Sequence, residues 1–337
     1  MITRRRFVIV ASSAIALSQT LRWRPAALAQ EIARPLARFG GLTPNDEFYV
    51  TSYARTPTVN PATYALKISG LVRNPLTLTM TEIKQMPAVS ETLTLECISN
   101  PPDGDAIGNA EWVGIKLKPL LEKAGVTPKA VFAVMHAADG YATGVPTAEI
   151  MRDENFLPYQ MNGVPLPPQH GFPLRIFIPG KYGMKQPKWL TEISFVDREF
   201  VGYWEQRGWS QSAWRKINSG FFAPRQPGGV LGLISPAPRV KAPVDIIGWA
   251  LAGPSGVRRV EVSTDGGKVF NTAELLDNHS PYVWTVWRYH FAPERAGRYE
   301  IRVRATDGNG VAQPPADSQT GSGRSGQPSE EIIISQV

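Results

Sequence analysis

In the stretch RYEIRVRA at residues 298–305, Tyr299, Ile301, Val303 and Ala305 take every second position, and charged residues take the others. A period of two puts the apolar side chains on one face of an extended strand. The sequence DGNG at 307–310 closes the run in a turn. A second run, VRRVEVS at 257–263, closes on TDGG, a hairpin-type turn. Residues 282–291 and 331–335 supply further strand candidates. Several short strands spaced by turns, with almost no helix signal, predict a β-sandwich over residues 219–337. An antibody-type disulfide is excluded, because the whole chain of 337 residues holds one cysteine. Residues 313–329, rich in Pro, Gly and Ser, are expected to form a flexible excursion.

Upstream the pattern is mixed. Residues 64–70, 92–95, 131–136, 174–179 and 192–197 read as strands. Residues 79–86 open on a cap-like Thr79 and read as a short helix. Residues 115–125 read as a second helix, with Gly125 where a C-terminal cap belongs. Residues 30–60 read as an extended, irregular lead-in. Short helices interleaved with strands and long loops predict an α+β domain over residues 30–218. Thirty glycines and thirty prolines fit that turn-rich architecture better than a helical bundle.

The first 29 residues read as an address. TRRRFV at 3–8 fits the twin-arginine pattern, an apolar run follows to Leu17, and Ala27-Leu28-Ala29 offers a small-x-small cleavage site. The alternative is a membrane anchor, but the run is short for a bilayer and Arg22 and Arg24 follow closely. The pattern predicts export to the periplasm, by a route that carries cargo already folded. The leader holds five basic and no acidic residues. The remainder therefore has 36 − 5 = 31 basic against 29 acidic residues. No basic stripe of the kind nucleic acid requires is visible.

The single thiol, Cys97, sits in TLECISNPPDGDAIG at 94–108, where a strand gives way to a Pro/Gly/Asp loop. A lone cysteine is most often a small buried hydrophobe. Against that reading stand the strand end, a loop holding Asn100, Asp103 and Asp105, and the export signal. A free thiol in an oxidising compartment has to be buried or bonded. The four histidines, His136, His170, His279 and His290, form no HExxH, and no CxxC, GxGxxG after a strand or P-loop occurs. A zinc site, a cysteine-held iron–sulfur cluster and a dinucleotide fold are therefore unsupported. A metal that takes one protein thiolate and its other ligands from elsewhere stays open.

A second constellation is HGFPLRIFIPGKYGMKQPKWL at 170–190. It packs His170, Arg175, Lys181, Lys185 and Lys188 into nineteen residues, with Gly180 and Gly183 letting backbone approach a ligand. Arg, Lys and open backbone suit an anionic tail. A solvated basic loop is the alternative.

Taken together, these segments resemble the sulfite-oxidase superfamily of molybdenum enzymes over nearly the whole chain after the leader. The cysteine segment, GNAEWVG at 108–114, YQMNGVPLPPQHGFP at 159–173 and KWL at 188–190 look like its cofactor domain. VEVSTDGG at 260–267 looks like its immunoglobulin-like dimerisation domain. The resemblance implies a molybdenum–molybdopterin cofactor (Mo-MPT), with Cys97 as the only protein ligand to the metal; soft thiolate suits such a metal. It places His170, Arg175, Gln186, Pro187 and Lys188 around the pterin phosphate and has Asp139 accept from the pterin. Tyr49, Thr51, Ser52 and Tyr53 close over the cofactor. It also implies a homodimer and, since no CxxCH haem motif is present, a separate electron-transfer partner, a cytochrome or a membrane protein.

This chain departs from the sulfite-oxidising pattern at four places. Thr51 and Pro102 stand where sulfite enzymes carry arginines, Tyr53 replaces a His, and Gly208-Trp209 replaces an Asp-Tyr pair. A sulfite dianion needs fixed positive charge. The expected substrate is therefore a less charged small molecule, with Trp209 on the wall and Cys97 and Trp209 as the catalytic residues. The alternatives are a sulfite dehydrogenase that uses Lys185 or Arg207 instead, and a cofactor-free binding scaffold.

Overall fold

The computed structural model describes residues 41–223, 239–277, 280–318 and 320–336. The leader at 1–29 and His279 lie outside the described residues.

Among the described residues nine strands come first: β1 (Ala65–Gly70), β2 (Leu76–Thr79), β3 (Ala88–Glu96), β4 (Ile107–Lys116), β5 (Phe132–Ala137), β6 (Ala142–Pro146), β7 (Phe156–Met161), β8 (Val164–Pro165) and β9 (Leu190–Val196). They form two sheets, one ordered β2-β1-β9-β5-β6 and the other β3-β4-β7-β8. Within the first sheet β1 pairs parallel to β9, and the other neighbours are antiparallel.

Among the described residues helices are short and few, so this body is mostly sheet. In α1 (Met80–Gln85), the Thr79 hydroxyl accepts from the Glu82 N–H while Glu82 reaches back to the Thr79 N–H, a complete capping box. Next, α2 (Lys118–Ala124) ends on Gly125 in the left-handed region. It starts later than the sequence pattern suggests, because Ile115 and Lys116 finish β4. Pro119 then falls in the first turn, where a missing N–H costs nothing. The third, α3 (Thr147–Ile150), is a single turn.

Residues 174–179 are a correction. They run extended but join no sheet. Arg175 N–H donates to Pro158 O, Ile176 N–H to Pro187 O and Ile178 N–H to the Gln186 side chain; only Phe177 makes a bridge, to Phe156. Leu174, Ile176 and Ile178 enter one apolar core and Phe177 another. The segment is a buried spacer between two cores, and β7 and the 186–187 turn satisfy its backbone.

The sandwich holds β10 (Asn218–Ala223), β11 (Val244–Leu251), β12 (Val257–Ser263), β13 (Asn271–Thr272), β14 (Glu274–Asp277), β15 (Thr285–Phe291), β16 (Gly297–Asp307) and β17 (Ser329–Ile334). Its sheets are ordered β10-β11-β15-β14 and β13-β12-β16-β17. Ile301, Val303 and Ala305 of β16 are fully buried, and Val303 and Ala305 register opposite Val262 and Val260 of β12. They face Phe221, Ile246 and Trp287 from the other sheet in one core.

The stretch 313–329 is also a correction, over its described residues. Gln313 is buried, accepting from Ser219 Oγ and Ala305 N–H and donating to Gly326 O. Ser325 donates to Ile217 O. Its small residues permit close packing: a Cβ on Gly323 would lie 2.5 Å from the Tyr182 hydroxyl. Composition alone could not distinguish that use of glycine from flexibility.

Candidate functional site

Strand β3 ends at Glu96 and β4 begins at Ile107, so Cys97 is the first residue of the connecting loop. The loop is tightly closed. Cys97 N–H donates to Ala106 O, Asn100 N–H to Cys97 O, and Ala106 N–H to Asn100 Oδ1. Gly104 is required there, since a Cβ would meet Asn100 Oδ1 at 2.3 Å. The thiol is free and half-buried, 3.2 Å from the Ser99 hydroxyl.

The sandwich side clamps the same loop from beneath. Glu96 is buried and accepts from both Asn100 Nδ2 and Asn218 Nδ2, the latter on β10. Asp103 N–H donates to Ser219 O, and Phe221 N–H donates to Asp103 Oδ1. Thr94 is held by Arg215, by Tyr282 O and by the Trp284 N–H. Burial raises the Glu96 carboxyl above its usual range and lowers the Arg215 guanidinium.

Above Cys97 opens a cavity of about 910 Å³ including the open space at its mouth. Every residue expected at the site lines it: Tyr49, Thr51, Ser52, Tyr53, Cys97, Asp139, His170, Arg175, Gln186, Pro187, Lys188 and Trp209. Chain distant in sequence is therefore brought to one place.

The cations divide sharply. Arg175 is buried, stacked on Trp112 and Phe177, and donates only to the carbonyls of His170 and Gln186. Its Nε has no partner. Lys188 donates to Thr51 O, Ser52 Oγ and Gln169 O, which ties the 49–53 segment down over the cavity. Neither meets a carboxylate among the described residues. Burial lowers Arg175 to about 10, and burial with the Arg175 charge lowers Lys188 to about 8. Burial takes His170 down to about 4, so it is neutral at pH 7, and its Nε2–H donates to Asn45 O.

Lys181 and Lys185 are corrections to the basic constellation. Lys181 pairs with Glu149 at 2.6 Å, and Lys185 pairs with buried Glu205 while donating to Gly144 O. Both charges are spent inside the protein. Gly180 packs under Trp214 and Pro254 instead of facing the cavity, whereas Gly183 does line it. The Gln186 amide is also committed, to Ile178 N–H and Lys181 O. Asp139 Oδ1 accepts from the Tyr141 N–H.

The opposite wall is apolar. Ile98, Tyr182, Met184 and Ala213 form a small buried cluster against which Trp204 and Trp209 pack. Sequence reasoning did not single out Ser99, Met184, Trp204 or Asn218. Ser99 could have been found by its place two residues beyond the thiol; Asn218 could not, since its bond to Glu96 spans 122 residues.

A molybdopterin cofactor fits these residues. It needs one soft thiolate, which Cys97 can supply, and a buried donor with positive charge for an anionic tail, which the unpartnered Arg175 Nε can supply with the charge of half-buried Lys188 beside it. Comparison with known proteins decides the family. Residues 53–204 match the oxidoreductase molybdopterin binding domain, and residues 233–322 match the Mo-co oxidoreductase dimerisation domain. A sulfite oxidase of Arabidopsis thaliana is 30% identical over 323 residues, covering 81% of this chain and 82% of that protein.

The chain belongs to the sulfite-oxidase superfamily of molybdopterin-dependent oxidoreductases. The mitochondrial sulfite oxidase of Drosophila melanogaster is 31% identical over 316 residues, covering 81% of this chain. This chain spans only 55% of that relative's length and 57% of the human one's. The solved sulfane dehydrogenase SoxCD of Paracoccus pantotrophus shares the fold, with a TM-score of 0.74 and 23% identity over 89% of this chain and 85% of that one. Molybdopterin is the superfamily's cofactor, and most residues lining the cavity over Cys97 belong to the matched cofactor domain.

Proposed function

We propose that this protein is a periplasmic molybdenum oxidoreductase that moves an oxygen atom and two electrons to or from a small molecule less charged than sulfite. The bound cofactor supplies the two-electron redox chemistry. The chain's residues bind and orient. On this reading Cys97 ligates the metal, Arg175 and Lys188 hold the pterin's anionic tail, and the 49–53 segment, tied down by Lys188, excludes water. The observation that carries the substrate assignment is the wall beyond the thiol. Ile98, Met184, Trp204 and Trp209 offer no charge, and the two lysines nearest in sequence are neutralised by Glu149 and Glu205.

Sulfite oxidation is the second reading, favoured by the relatives' names. It needs cations beside the thiol: Lys185 is paired with Glu205, and Arg207 does not line the cavity over Cys97. Family membership sets aside the cofactor-free scaffold. Export rests on the twin-arginine pattern at 3–8. Self-association rests on the match to the dimerisation domain, and sedimentation as a monomer at working concentration would count against it. A separate cytochrome or membrane protein completes the electron path.

The test is metal and pterin analysis with a substrate screen. Protein from its native host should carry one molybdenum per chain, and Cys97→Ser should lose it. With an artificial electron partner, compounds with an uncharged sulfur or nitrogen reacting group should turn over faster than sulfite. Sulfite turnover matching the best of them overturns the substrate assignment; metal retention in Cys97→Ser overturns the ligand assignment.

A further inference from the structure

Two cavities meet at the cysteine loop. The second, about 790 Å³ including its mouth, is lined by Ser99, Arg207, Gly208, Trp209, Arg324 and the turn at Thr320-Gly321. Ser99 and Trp209 face both cavities, and Ser99 lies one hydrogen bond from the Cys97 sulfur. The outer cavity is therefore a vestibule that shares a wall, Ser99 and Trp209, with the cavity over the thiol. Part of it is built from the 313–329 segment. Ser210 N–H donates to Gly321 O at 2.9 Å, and a Cβ on Gly321 would lie 2.1 Å from Gly208 O, so only glycine lets the two strips of backbone meet.

The two arginines of the vestibule differ. Arg324 is engaged by Asp317, with Nε to Oδ2 at 2.6 Å. Arg207 has no carboxylate partner among the described residues. Its guanidinium carbon sits 3.5 Å from the centre of the Tyr203 ring, and Nη1 donates to Tyr203 O at 2.8 Å. The stack and the carbonyl fix the plane and leave Nε and Nη2, one edge of the fork, without a protein partner among the described residues, an edge that can bind a carboxylate bidentately. On the other side of Trp209, the wall is Ile98, Met184 and Trp204.

We propose that the substrate is an organic anion, with a carboxylate or sulfonate on Arg207 in the vestibule and an uncharged, apolar reacting end between Trp209 and Cys97. This rests on the oxidoreductase reading and sharpens it. Charge and reaction centre are separated by Trp209, so Arg207 acts as a specificity residue without touching the reacting atoms.

The experiment is titration calorimetry on the holoenzyme with 3-phenylpropanoate and its uncharged amide, 3-phenylpropanamide, which differ little in shape. The wild-type protein is expected to bind the acid about tenfold more tightly, as one charge-assisted contact allows. Arg207→Met should erase that preference and leave amide affinity unchanged, which also shows that the variant is folded. Equal affinity for the two probes in the wild type, binding of neither, or an acid preference that survives in Arg207→Met overturns the proposal. Molybdenum content of the same samples reports separately on the cofactor reading.

Discussion

Four cations lie within the fourteen residues from Arg175 to Lys188, and they fall into two kinds. Lys181 and Lys185 are buried against Glu149 and Glu205. Arg175 and Lys188 are held by carbonyls, a hydroxyl and aromatic faces, with no carboxylate among the described residues. The first pair holds the fold together, because its charge is cancelled where it stands. The second pair is positioned by neutral groups, so its charge remains for a ligand. A count of basic residues cannot separate the two; the identity of the partner does.

That contrast breaks most visibly at Glu205. Its carboxylate meets Lys185 and accepts from the Thr143 hydroxyl, all buried. Glu205→Met should cost about 3–5 kcal/mol in denaturant unfolding, because it strands a buried ammonium. Adding Lys185→Met should recover most of the loss, since no unpaired charge is then left. A single variant as stable as the parent would mean that the pair is not structural. Next in size is Arg175→Met, which keeps volume and loses charge. Stability of the cofactor-free protein should hardly change. Pterin and molybdenum retention on dialysis should weaken roughly 10–100-fold, the value of one charge-assisted bond. The opposite outcome, lost stability with full retention, would move Arg175 into the structural pair.

The same distinction explains what could be read from sequence. Alternation located β1 and β16, and apolar or strand-like runs and their turns located β5, β9, β12 and β15, because these are local properties. The thiol's position at a strand end was equally local. Residues 174–179 misled because two prolines and two cores can bury an extended segment that makes only a single bridge to a strand. The 313–329 segment misled because glycine serves close packing as readily as motion: Gly321 and Gly323 sit where a Cβ would collide. The neutralisation of Lys181 by a residue 32 positions upstream, and the clamp of Asn218 on Glu96, are products of topology and leave no local trace.

The clamp yields a smaller effect. Asn218→Leu removes one of the two donors to buried Glu96 and should cost about 1–3 kcal/mol. It should also loosen the Cys97 loop. In cofactor-free protein, thiol labelling of Cys97 is expected to speed up several-fold, while a variant of equal stability cost in the sandwich core, Ile301→Val or Ile301→Ala as needed to match, leaves labelling unchanged. Equal labelling in both would mean that the sandwich supports the loop only through global stability.

His170 offers the finest division between the two kinds of charge, since it sits beside Arg175 and Lys188 yet is neutral. Burial and those two cations lower its folded value to about 4, against 6.5 unperturbed. Between these values the unfolded chain binds the proton and the folded one does not, so stability rises with pH across that window and is lost as pH falls toward 4. In cofactor-free protein the urea midpoint of wild type should therefore fall more steeply from pH 6.5 to 4.5 than that of His170→Gln. An anionic tail bound beside the ring would favour the imidazolium and raise its value, because opposite charge stabilises the protonated form. Holoprotein should then show a shallower difference between wild type and variant over the same window. An identical difference with and without cofactor would place the anion away from His170 and leave Arg175 and Lys188 as its only cationic partners.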